Sequence, residues 1–136
     1  MSTFENIFFA AMRGTIEDVR YFVEEKGANV NGKNDQGFTP LHLAGYNMAD
    51  GAEIAQFLIS KQANVDAEDQ RGGHPLHVAA NKGNVAVAKV LVHAGADVHA
   101  TMEGIVTPID LANRKGHIGH MMTVQYLSSM GAIPKF

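Results

Sequence analysis

The sequence contains no cysteine, which excludes a disulfide framework and any thiolate metal site. It has no apolar run able to cross a bilayer. The longest early one, Ile7–Met12, covers six residues against the roughly 20 that a membrane helix requires. That run follows Glu5 in place of a basic segment, so no secretory leader is expected. Charge of one sign is not in excess: 11 Lys and Arg stand against 14 Asp and Glu, a formal net charge of −3. With a pI near 6.1, nothing favours nucleic acid as a partner. Catalytic signatures are missing too. There is no G-x-S-x-G elbow, no Gly-rich phosphate loop and no H-E-x-x-H. The few serines, Ser2, Ser60, Ser128 and Ser129, have no evident base at hand. These absences lead to the expectation of a soluble, cytoplasmic chain that is not an enzyme and carries no cofactor.

The composition that remains is that of a globular protein, 46% hydrophobic and 18% charged over 136 residues. Two phrases recur in it. TPLHLA at Thr39–Ala44 returns as HPLHVA at His74–Ala79 and TPIDLA at Thr107–Ala112, and GANVNG at Gly27 returns as QANVDA at Gln62 and GADVHA at Gly95. From Pro40 to Pro75 is 35 residues and from Pro75 to Pro108 is 33; Ala28, Ala63 and Ala96 keep the same steps. Two independent phrases on one period mark tandem units, and a period near 33 points to a solenoid.

Each unit reads as two short helices. Pro40, Pro75 and Pro108 suit the first turn of a helix, where proline is tolerated. A glycine or polar break follows, then a second amphipathic stretch. Thr15 can cap one carrying Ile16, Val19, Phe22 and Val23, and Asn84 one carrying Val85, Ala88, Leu91 and Val92. The glycines ahead of Ala28, Ala96 and Ala132 fit helix ends that need a left-handed residue. Turn-rich segments at 32–37 and 68–73 suit hairpin-like projections.

The run Gly37, Thr39, Pro40, Leu41, His42, Ala44, followed by a second helix and a Gly-Ala-Asp-Val phrase, resembles the ankyrin repeat. The resemblance covers nearly the whole chain as one domain, 1–136, with repeats at about 4–36, 37–71, 72–104 and 105–136. It implies an all-α solenoid of helix-turn-helix units with β-hairpin-like turns projecting at right angles, the outer two units acting as caps. The units are not identical. From the first-helix alanine to the later alanine is 18, 19, 17 and 20 residues in units one to four, so units two and four carry extra residues near 47–51 and 117–122.

Stacking explains the repetition, since a unit of two short helices cannot bury both faces alone. Function belongs to the letters that do not repeat. In the family's geometry the last residues of each first helix face the concave side; here they are Met12 and Arg13, Tyr46 and Asn47, Asn81 and Lys82, and Arg114 and Lys115. Turn tips add Phe38 and Arg71. Tyr, Arg and Met are favoured at interface centres, so the resemblance implies a module that binds another protein. Residues 1–70 hold 11 acids and 5 bases, net −6, and residues 71–136 hold 3 and 6, net +3. An acidic segment of the partner is therefore expected against Lys82, Arg114 and Lys115. The expected state is a monomer.

Seven histidines raise the alternative of a metal-binding protein, with His74/His77 and His117/His120 as candidate pairs; a self-associating structural subunit is the other alternative. Zinc sites need three or four ligands, so the structural role is favoured. The resemblance implies that His42 and His77 bond neighbouring turns and that His74 stands in for threonine. Asn31, Asp66 and His99 share the position that asparaginyl hydroxylases modify in some animal ankyrin proteins; a turn-stabilising role is expected there.

Overall fold

A computed structural model describes residues 2–136. Helices α1 (Ile7–Arg13), α3 (Pro40–Ala44), α5 (Pro75–Lys82) and α7 (Pro108–Asn113) form one layer. The other layer holds α2 (Ile16–Arg20), prolonged by a π-helical turn at Tyr21–Glu25, then α4 (Gly51–Ser60), α6 (Val85–His93) and α8 (Ile118–Ser129). Within each layer every helix packs on the next, and each pair packs across the layers. The fold is the expected all-α solenoid. Among the described residues there is no strand. The projecting tips are closed by backbone bonds from Asn34 N to Phe38 O (2.9 Å), from Asp69 N to Gly73 O (2.9 Å), and between Met102 and Val106 in both directions (2.8 and 3.0 Å).

The repeated letters are packing. Leu41, Leu76 and Ile109 hold one place in the TPLH phrase, and all are fully buried. Ile54 and Leu58, Val87 and Leu91, and Leu127 do the same for the second helices. Thr15 caps α2 and Asn84 caps α6, as their spacing implies. Gly27, Gly95 and Gly131 take left-handed φ of 66°, 97° and 95°. In unit two Gln62 holds that place at φ 73°, a conformation costing a non-glycine residue about 1 kcal/mol.

The irregular spacings have local causes. The π-helical turn after α2 takes up one extra residue in unit one. In unit two the excess lies in the break between α3 and α4, closed where Gly51 meets the preceding helix; a Cβ there would lie 2.4 Å from Ala44 O. In unit four α8 is 12 residues long against 9 for α6.

Polar side chains tie each unit to its neighbours. Nδ1 of His42 accepts the Thr39 amide (3.1 Å) and Nδ1 of His77 accepts that of His74 (3.0 Å). The ring proton therefore sits on Nε2, which donates forward to Gly73 O (2.8 Å) and Val106 O (2.9 Å). Unit four has Asp110 in this place. Its carboxylate accepts instead, from Lys135 N (2.7 Å) and Phe136 N (3.3 Å), as well as from Thr107. Changing donor to acceptor lets residues 135–136 occupy the position taken elsewhere by the following turn.

Burial first of all pushes His42 and His77 below the ordinary histidine value of 6.5. The unfolded chain binds protons there more readily than the folded one. Their stabilising contribution is complete above pH about 6.5 and is lost as pH falls through the lowered folded values. The slope reaches at most about 1.4 kcal/mol per pH unit per histidine. The thermal midpoint should hold steady between about pH 7 and 8 and fall between about pH 6.5 and 5. Calorimetry across that range checks it; an unchanged midpoint at pH 5 would contradict the neutral, buried assignment. Burial raises the Asp110 pKa, but the donors from Lys135, Thr107 and Phe136 outweigh it and hold it below 3.8. Its contribution is lost only at still lower pH, so the two effects separate.

Candidate functional site

The face that the family resemblance makes concave is the one carrying the last turns of the first-layer helices and the tips. Its two halves differ. Under units one and two lies a groove of about 670 Å³, floored by Phe8, Phe9 and Met12 from α1, Phe38 from the first tip, and Leu43 and Tyr46 at the end of α3. Met12, Phe38 and Tyr46 are thus brought together. Phe9 is 38% exposed. Among the described residues, Asp35 is the one carboxylate lining this groove, and Lys33 lines it too.

Cations stand over the exposed rings. The Lys82 ammonium lies 4.6 Å from the centre of the Tyr46 ring, and the Arg13 guanidinium 5.7 Å from that of Phe9. Both distances are within reach of the ring quadrupole. Beyond them, Arg114 and Lys115 follow α7 and are exposed. The helix-end positions therefore carry a cation in units one, three and four, Arg13, Lys82, and Arg114 with Lys115, and no carboxylate.

Three expected site residues have structural work. Asn47 is buried, 6% exposed, and is corrected from a surface contact to a joint. Its amide donates to Ala11 O (3.1 Å) and Gly14 O (2.9 Å), and its carbonyl accepts from Asp50 N (3.0 Å). The end of α1 carries carbonyls that no helix satisfies, and Asn47 is turned inward to meet them. Asn81 accepts His120 Nε2–H on its carbonyl (2.8 Å) while its side chain stays half-exposed. Arg71 pairs with Glu103 of the next tip.

Asn47 belongs to a set. Asn84 reaches back to Gly45 O (3.2 Å) and Asn47 O (3.1 Å), and His120 to Asn81 O, so each joint has one such clasp. Sequence reasoning also missed Phe8 and Phe9. Their signal was available: they lie four and three residues before Met12, the spacing of one helix side.

Four of the seven histidines, His42, His74, His77 and His120, make ring hydrogen bonds. Both ring nitrogens of His42 and of His77 are committed. His74 does not cap α5 with its ring; its Nδ1 meets Asp66 Oδ1 at 3.1 Å. Among the described residues no three His, Asp or Glu side chains converge on a point that could hold a metal. Asn31 bridges to Gln62 O (3.0 Å) and Asn64 N (2.8 Å), and Asp66 accepts from Asp97 N (3.1 Å), so both stabilise turns between units. Among these residues, no helix is long and apolar enough to cross a membrane.

Comparison with known proteins agrees with this architecture. The family profile described as ankyrin repeats (three copies) matches residues 7–102 and, overlapping, 48–134. Alpha-latrocrustotoxin-Lt1a of Latrodectus tredecimguttatus is 35% identical over 125 residues, 92% of this chain and 6% of that protein. The chain thus spans a small fraction of the length of this relative.

Proposed function

Because the chain belongs to the ankyrin repeat family, whose members are generally protein–protein interaction modules, we propose that it is a non-catalytic binding module working through its concave face. The observation that carries this reading is the grouping of Phe9, Met12, Phe38 and Tyr46 in one open groove, continued by Lys82, Arg114 and Lys115. A partner segment with an apolar anchor fills the groove under units one and two. Its acidic residues lie along the basic half under units three and four. The helix-end cations add affinity and speed encounter, and their effect weakens with salt.

The test is a charge reversal. A chain carrying Lys82→Glu, Arg114→Glu and Lys115→Glu is compared with the unaltered chain as bait in an extract of the source cells. A protein held by the native chain should bind the variant about tenfold more weakly or worse, since exposed pairs contribute a few tenths to 1 kcal/mol each. Its salt dependence should flatten as well. Equal retention by both baits, with the same salt dependence, would contradict the assignment of the basic half.

A further inference from the structure

Two rings of the groove under units one and two have a cation of the chain laid over them. Arg13 reaches Phe9 from α1 (5.7 Å to the ring centre), and Lys82 reaches Tyr46 from α5 (4.6 Å). Since α1 packs on α3 and α3 on α5, the two cations stand at opposite ends of the groove along the stack. The helix dipole favours a basic residue in the last turn of each helix, and the ring quadrupole draws both across the groove. Among the described residues neither makes an ion pair, whereas Arg20, Lys61 and Arg71 each meet a glutamate. Lys33, the other cation lining the groove, is occupied: its ammonium donates to Glu68 O (2.7 Å).

A cationic anchor does not suit this groove, because Phe9 and Tyr46 each have a face already taken by the chain's own cation. An apolar or aromatic side chain does, against Met12, Phe38 and Leu43. Arg13 is exposed and Lys82 half-exposed, so both remain open to carboxylates that flank such an anchor. Packed helices lie roughly 10 Å apart, which sets α1 and α5 about 20 Å apart, and Lys82 reaches back toward α3. An extended segment covers one to two such steps in about three to six residues. Asp35, the groove's carboxylate, belongs to the tip and not to the helix ends.

We propose that the groove takes an extended segment of another protein in which one apolar side chain is bracketed by carboxylates, one on each side. The anchor lies among Phe9, Met12, Phe38 and Tyr46; one carboxylate meets Arg13 and the other meets Lys82. This rests on the concave face being the working surface. It adds Arg13 as a specificity-determining residue and a second acidic flank, which the basic half under units three and four does not require. Each exposed pair contributes modestly, so selection comes from their sum. A segment acidic on one side loses one pair, and a basic flank meets repulsion.

Fluorescence anisotropy with short labelled peptides at low salt tests this. Each peptide has a central phenylalanine in an alanine and serine background, with glutamates within about three residues of it on both sides, on the amino side only, or on the carboxyl side only. The two-sided peptide should bind about twofold to fivefold more tightly than either one-sided peptide. Arg13→Gln should bring it down to the affinity of one of these and leave that one unchanged, and Lys82→Gln should do the same with the other. Lysine in place of the central phenylalanine should abolish binding. Residue 13 is exposed, so the Arg13→Gln chain should unfold at the native midpoint. A two-sided peptide that binds no better than a one-sided one, equal weakening of all peptides by Arg13→Gln, or undiminished binding of the lysine peptide would each overturn the proposal and leave the binding role of the face standing. Binding of none of the peptides would overturn it as well, and the bait comparison then decides the role of the face separately.

Discussion

Replacing Leu91 by alanine is expected to lower the free energy of unfolding by about 3 kcal/mol, within the 2–5 kcal/mol range of buried leucine truncations. Leu91 is fully buried on α6, which packs against α4 on one side and α8 on the other. Truncation removes apolar surface and leaves a cavity that short helices, clasped at both ends, cannot close. The loss is large beside a total stability of roughly 5–15 kcal/mol. In a solenoid each unit is held by its nearest neighbours, so a weakened third unit also loosens the fourth. Urea unfolding should show the midpoint drop by about 1–2 M. A shift below about 0.5 M would mean that the cavity collapses, and that α6 is less fixed by its neighbours than the packing indicates.

Asn47→Ala is expected to cost about 2–3 kcal/mol, from the carbonyls of Ala11 and Gly14 left buried without their donor. Its neighbour Tyr46 supplies the contrast. Tyr46 is half-exposed in the groove, and Tyr46→Ala should weaken partner capture while lowering stability by less than about 1 kcal/mol. The two variants side by side, in urea and as baits, separate the joint from the binding face. If Asn47→Ala unfolds at the native midpoint, its hydrogen bonds are replaced by water and the residue returns to the candidate surface.

The division between residues 46 and 47 shows how far the sequence was legible. Layers and buried leucines follow from two phrases on one period, because packing demands the same side chains at every step. The forward bonds of His42 and His77 belong to that repetition. Asn47, Asn84 and His120 do not. They lie at different offsets, since each break between helices has its own length, and no period exposes them. Their common task, satisfying the last carbonyls of the preceding helix, is visible only once the chain is folded. Phe8 and Phe9 share the helix side of Met12, so helical spacing alone could have placed them; unit one lacks the TPLH phrase, so the repeat itself did not point to them.

The measurement that addresses the binding face most directly is amide hydrogen exchange on the chain with and without a captured partner. The partner should slow exchange around residues 8–13, at the tip around 33–38, and around Tyr46, Lys82 and Lys115, leaving the convex surface of α2, α4 and α6 unchanged. Protection confined to that convex surface, with residues 8–13 and 33–38 exchanging as in the free chain, would contradict the assignment of the concave face as the working surface.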